Sequence, residues 1–172
     1  MEKPILFNTE MVKAILEGRK TQTRRAIKNI KVFYSDGIPA NKPPYKTGDV
    51  LYVRETWATI LNEYVYKYGY DDEAGSIQDG YKLIEPKWKP SIHMPREAAR
   101  LFLKVKDVRV ERLRDMNDSD LASEGFGDWV RFISLWNSTI KSTDCDKYDW
   151  NANPWVWVIE FERCEKPEGW LQ

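Results

Sequence analysis

Gly18-Arg19-Lys20-Thr21-Gln22-Thr23-Arg24-Arg25 is the stretch on which the reading of this chain turns. Four cations and two hydroxyls crowd into it, at a junction between a helix signal and a strand signal. Upstream, Met11, Val12, Ile15 and Leu16 recur at helical spacing, Thr9 is placed to cap the N-terminus, and Gly18 to cap the C-terminus. The spacing predicts a helix over Thr9 to Glu17 and the start of a strand over Arg19 to Arg25. A solvated basic turn after a helix is the bland reading of such a run. The chemical reading is sharper. Were Lys20 desolvated beside Arg19, Arg24 and Arg25, its pKa would fall, and a neutral amine can take the proton of a nearby Thr hydroxyl.

Outward from the motif, strand signals dominate. Pro4 to Phe7 reads as a short strand, and Val50 to Trp57 as a stronger one after the Gly48-Asp49 turn. Asn62 to Tyr70 carries Tyr64, Tyr66, Tyr68 and Tyr70 in alternation and is predicted as a strand with its tyrosines on one side. Ala99 to Leu113 alternates over a long span, with a bulge expected at Lys106-Asp107. Trp155 to Glu162 is the last strand; Trp155 and Trp157 alternate with Val156 and Val158, so at least one set is core. Helices are predicted over Asp115 to Gly125, with Asn117 or Ser119 as cap, and through Trp129, Phe132, Ile133 and Trp136. Ile30 to Pro44, Asp71 to Gly80 and Asp144 to Pro154 read as loops, and Trp88 to Pro95 as extended chain. Many strands, few short helices and no βαβ rhythm predict an α+β domain built on a small β-barrel with helices outside it.

Composition bounds the function. The 172 residues make one domain, 1–172, and 42% apolar with 31% charged residues fit a globular chain. With 27 basic and 27 acidic residues there is no global field, so any nucleic-acid contact must be local. A single His and two cysteines without CxxC spacing, Cys145 and Cys164, argue against a zinc site, and no clustered carboxylate motif appears, so neither metal nor cofactor is expected. No apolar run approaches the roughly 18 residues of a membrane span, and no leader is legible at the start. The expectation is a cytoplasmic protein without membrane contact or an inferable obligate protein partner.

Other residues stand out less. His93, between Ile92 and Met94, is a structural histidine or a rim contact to a base or phosphate. Arg96, Arg100, Lys104 and Lys106 are a solvated strand face or a phosphate track continuing from Arg19 and Arg24. Arg54 with Glu55 is an ordinary ion pair or part of a site, and Trp57 and Trp88 are core or stacking surfaces. Glu124, ahead of Gly125, is a helix-end carboxylate placed against the helix dipole, a mild penalty that invites a reason.

The pattern Gly18-x-Lys20-x-x-Thr23-x-Arg25 resembles the signature of the ASCH domain, a branch of the PUA-like barrels associated with RNA. Pro44 to Trp57, Ser91 to Arg96 and Asn153 to Phe161 are also similar to phage and prophage ASCH proteins, so the resemblance covers nearly the whole chain. Many ASCH proteins have Glu where this chain has Thr23; the Thr is shared with a small bacterial ASCH amidohydrolase that deacetylates the exocyclic amine of acetylcytidine. The resemblance implies a PUA-like barrel with loop insertions near 31–44 and 62–90, and a metal-independent hydrolase in which Lys20 is the base, Thr23 the nucleophile and Glu124 the acid. Arg19, Arg24, Arg25, Arg54, Glu55, Trp57, His93 and Arg96 are then the expected contacts to RNA or a modified nucleoside. A non-catalytic RNA-binding module is the alternative. An RNA-cleaving protein is a third reading, though no two-His arrangement is available to activate a 2′-hydroxyl.

Overall fold

The computed structural model describes residues 2–73 and 86–170. Its last strand, β7 (Trp155–Cys164), lies in the interior of the main sheet. Trp157, Ile159 and Phe161 belong to one core cluster, and Val156 and Val158 to another on the opposite face. A strand covered on both faces reads as a continuous apolar run, and both alternating sets of the Trp155–Val158 stretch contribute to core packing. β6 (Phe102–Arg112) and β2 (Gln22–Ala26) flank β7, both antiparallel. β3 (Val50–Arg54) pairs antiparallel with β6, and β1 (Glu2–Leu6) parallel with β3, giving the order β1-β3-β6-β7-β2. The expected bulge is present: the β6–β7 register shifts between Val105 and Asp107, with Lys106 as the extra residue.

The domain is α+β, as the element pattern implies. The five-stranded ladder is open, with β1 and β2 as its edges, so among the described residues strand pairing does not close the expected barrel. A side chain spans those edges instead, Arg25 Nη2 donating to the Leu6 carbonyl at 2.7 Å. Between them in sequence lies α1 (Thr9–Leu16), whose Val12 and Ile15 sink into the first core with Ile5, Phe7 and Ile159. Its cap is Asn8, not Thr9: the Asn8 side chain accepts from the Met11 N–H at 2.9 Å. Gly18, at φ 75, turns the chain out of the helix towards β2.

On the other face of β7, α3 (Asp118–Ser123) and α4 (Trp129–Ser138) supply Leu121, Phe132 and Trp136 to the second core. Asn117 and Asp120 form a capping box at α3, and Asp128 caps α4. A short α5 (Cys145–Tyr148) lies in the expected 144–154 loop. The strand expected through Trp57 ends at Arg54; after the Glu55 corner, β4 (Trp57–Ile60) pairs with β5 (Glu63–Tyr66) as a separate two-stranded sheet. The four-tyrosine strand is therefore shorter than expected. β4 offers no partner beyond Tyr66, and Lys67 begins α2 (Lys67–Glu73), its N–H bonded to the Thr56 carbonyl. A 3-10 turn at Ser91–His93 interrupts the extended chain expected over Trp88 to Pro95, and a second follows it at Arg96–Ala98. Of the expected insertion at 62–90 and the loop at 71–80, the positions from 74 to 85 and to 80, respectively, lie outside the described residues.

Asp49 anchors the start of β3. It accepts from Lys3 Nζ at 2.7 Å and from the Lys46 N–H at 3.0 Å. Burial alone would raise its carboxyl, but those bonds and the two lysine charges outweigh it and hold Asp49 below its ordinary value. A lowered folded-state pKa contributes stability that is present above the unfolded value and lost as pH falls through the folded one. Asp49→Asn is expected to cost about 1–2 kcal/mol at pH 7, with the difference from the parent vanishing in strong acid. Urea denaturation at pH 7 and below pH 3 checks this; a difference that persists undiminished in acid contradicts it.

Candidate functional site

At the α1–β2 junction the chain folds Lys20 inward. The backbone N–H groups of Arg19 and Lys20 both donate to the Ala14 carbonyl, Thr21 N–H donates to Ser123, and Thr21 C=O accepts from Phe161, which stitches the motif between α1, the end of α3 and β7. Lys20 and Glu124 form an isolated antiparallel bridge. Gly125 makes that approach possible: it stands at φ 89, where an added Cβ would lie 2.9 Å from Ala14 Cβ and 3.1 Å from Lys20 Cβ.

Lys20 Nζ donates to Glu124 Oε2 at 2.7 Å, to the Glu124 carbonyl at 3.0 Å and to the Gln22 carbonyl at 2.8 Å. Its side chain is fully inaccessible, and that of Glu124 is 3% accessible. Desolvation pushes the Lys20 ammonium down from its ordinary value; Glu124 pulls it up, and Arg25 and Arg24 add to the downward push. Glu124 is shared, since its Oε1 accepts from Arg24 Nη1 at 3.2 Å. Arg24 is itself buried, with Asp120 at 3.2 Å and Glu111 at 3.3 Å, and its Nε has no partner among the described residues. Asp120 also accepts from Gln22 Nε2 at 3.0 Å. Its burial favours the neutral acid, but the bonds from Gln22, the Asn117 N–H and Arg24 hold it below its ordinary value.

Two neighbouring spaces lie against this cluster. A cleft of about 590 Å³ runs between α1 and α4, with Glu10, Arg19 and Arg131 at exposed positions and Glu124, Gly125 and Phe126 further in. Beside it is a recess of about 60 Å³ lined by Thr23, Arg24, Arg25, Phe132 and Trp136. Met11, Glu124, Phe126 and Leu135 line both. Thr23 is buried, and no hydrogen bond to its hydroxyl is present among the described residues. The cleft is within the usual size of small-molecule sites.

The fold likeness is to solved structures alone. No family model matches the chain, and no curated protein matches it. Protein EF3133 from Enterococcus faecalis, of the DUF984 family, is 10% identical, with 95% of this chain and 80% of that one covered at a TM-score of 0.50. The fold is shared with EF3133. An ASCH domain from Lactobacillus crispatus aligns at 12% identity over 94% of this chain and 79% of its own, with a TM-score of 0.49. Hypothetical protein PH0355 aligns at 14% identity over 95% and 100%, with a TM-score of 0.48.

The remaining expected contacts divide. Arg19 is exposed, bonded to Glu17 and to the Gly125 carbonyl, and lies at the cleft. Arg25 lies over the Phe7 ring at 5.4 Å. Arg24 is an internal ion-pair hub rather than a surface cation. Glu55 is buried under a two-pronged Arg100 bond, at 2.9 Å for each oxygen. Arg54 donates to the Met94 carbonyl, Trp57 is core, Arg96 lies over Trp170 at 4.1 Å, and His93 is exposed on a 3-10 turn. These positions surround the third core cluster, formed around Trp57, Met94 and Phe102. Three of the four cations of the expected phosphate track meet carboxylates, Arg96 with Glu2 at 3.3 Å, Arg100 with Glu55 at 2.9 Å and Lys106 with Glu162 at 3.3 Å, while Lys104 is exposed and makes no ion pair among the described residues. Gln22, Glu111 and Asp120 support the site and were not singled out from the sequence; the cap expected at Asn117 or Ser119 marked only the helix start. Among the described residues no group of His, Cys, Asp or Glu is placed to hold a metal ion, and no helix is long and apolar enough to cross a membrane.

Proposed function

We propose that this chain is an ASCH-type protein that takes a modified nucleoside of RNA into the α1–α4 cleft and hydrolyses the exocyclic amide of an acetylated cytidine. The recess carries this reading. It has about two waters' worth of room, enough for an acetyl group; Thr23, a buried residue whose hydroxyl makes no hydrogen bond among the described residues, lines it, and so does Arg24, whose Nε is sealed from solvent without a partner. A ligand carbonyl oxygen that reaches Arg24 Nε, once the side chains that seal it shift, satisfies that donor and places developing negative charge against a cation.

The chemistry then balances without an outside group. A proton moves across the 2.7 Å Lys20–Glu124 hydrogen bond, leaving a neutral amine and a carboxylic acid. The amine accepts the Thr23 proton as Thr23 Oγ1 attacks the acetyl carbon. The C–N bond breaks, Glu124 protonates the departing cytosine amine, and water hydrolyses the acetyl-Thr23 ester to acetate. One observation favours a binding-only module: all three Lys20 protons are donated to acceptors other than Thr23.

Incubation with acetylcytidine, followed by chromatography for cytidine, separates the two. The expected result is turnover by the parent, its loss of about 100-fold or more in Thr23→Ala, and partial retention in Thr23→Ser. A parent without turnover, or a Thr23→Ala variant as active as the parent, overturns the hydrolytic assignment.

A further inference from the structure

Residues 28–46 carry four lysines and one acidic residue, in a chain whose 27 basic and 27 acidic residues balance only when the whole of it is counted. This segment, which follows the edge strand β2, has an ordered tip. Tyr34 N–H bonds the Ile38 carbonyl at 2.8 Å, Ala40 N–H bonds Val32 at 3.0 Å, and Phe33 pairs with Pro39 in a β-bridge. Asp36 is spent on the turn, accepting from the Ile38 N–H. Yet Val32, Phe33 and Tyr34 are 62%, 52% and 62% exposed. Lys31, Lys42 and Lys46 are also exposed and make no ion pair among the described residues; Lys28 lies over the Tyr148 ring at 5.3 Å.

We infer that this hairpin, Val32 to Ala40, is a contact for single-stranded nucleic acid, with Phe33 and Tyr34 as stacking faces and Lys31 and Lys42 as phosphate contacts. Base–aromatic stacking beside cations is the general means of holding a single strand without reading its sequence. Neighbouring hairpin residues point to opposite faces, so Phe33 and Tyr34 offer rings on two sides. The turn bonds order both before binding, which lowers the entropy cost. The inference extends the nucleoside reading of the cleft: the substrate is a nucleotide within a strand, held a second time away from the reacting base.

The test is fluorescence anisotropy with a labelled 12-nucleotide oligocytidine, against salt. Phe33→Ser/Tyr34→Ser is expected to weaken binding about tenfold or more. Lys31→Gln/Lys42→Gln is expected to flatten the salt slope by about 1.4. Both double variants should deacetylate free acetylcytidine at the parental rate. Unchanged oligonucleotide affinity and salt slope in both overturn the inference while leaving the cleft reading intact. Parental protein that binds the oligonucleotide through the hairpin but never turns over acetylcytidine supports the inference and sinks the hydrolase. Binding of phosphatidylserine vesicles in place of the oligonucleotide, lost in the same variants, makes the tip a membrane contact and overturns it.

Discussion

Glu124→Gln destabilises the folded chain by about 3–5 kcal/mol, and Lys20→Met costs less. The asymmetry follows from who shares the carboxylate. Glu124 gives one oxygen to Lys20 and the other to Arg24, and both cations are inaccessible to solvent. Removing the carboxylate leaves two buried charges short of a counter-ion. Removing the ammonium leaves Glu124 with Arg24 and relieves the burial cost of one charge. The Lys20→Met/Glu124→Gln variant is then less destabilised than the sum of the singles, because residues in one ion-pair network couple by about 0.5–3 kcal/mol. Urea denaturation of the four proteins measures the cycle. Additive losses, or a Glu124→Gln variant within 1 kcal/mol of the parent, would show that the cluster is not a buried network.

Gly125→Ala loses about 2–5 kcal/mol, from roughly 1–2 for the left-handed backbone and 1–3 for overpacking. The new methyl meets Ala14 Cβ at 2.9 Å and Lys20 Cβ at 3.1 Å, and neither is the movable end of a side chain. In a domain of this size the midpoint falls by roughly 2–4 °C per kcal/mol. Gly18→Ala is the control: its φ is also positive, at 75, but nothing lies within 4 Å, so it pays only the backbone cost. Thermal melts of the two variants give the comparison, and equal losses would refute the steric half of the argument. If the cleft binds a nucleoside, Gly125→Ala also weakens that binding, since Gly125 lines it.

Local patterns carried much of the architecture. The period of α1, the β6 bulge at Lys106 and the long apolar run of β7 are properties of neighbouring residues, and each is visible in the chain as written. The extent of β5 is not, because its tyrosine alternation continues past the point where β4 stops offering a partner. Asn8 takes the cap from Thr9 by which oxygen reaches the Met11 N–H, a matter of one residue's backbone angle.

The candidate site divides along the same line. The amino-acid sequence by itself determined that Lys20 and Thr23 lie just beyond a short helix at the start of a strand, in a run of cations that resembles the ASCH signature. Only the tertiary structure decided what those cations meet. Lys20 and Glu124 are 104 positions apart, and Arg24 and Glu111 are 87 apart. Periodicity tells which face a residue shares with its neighbours, but not which charge another element delivers to that face. A cation in water and a cation sealed against a carboxylate have the same letter in the sequence. Desolvation distinguishes them, and it exists only once α3, β2 and β7 have closed around Lys20, turning Arg24 from a surface contact into the hub of a buried network.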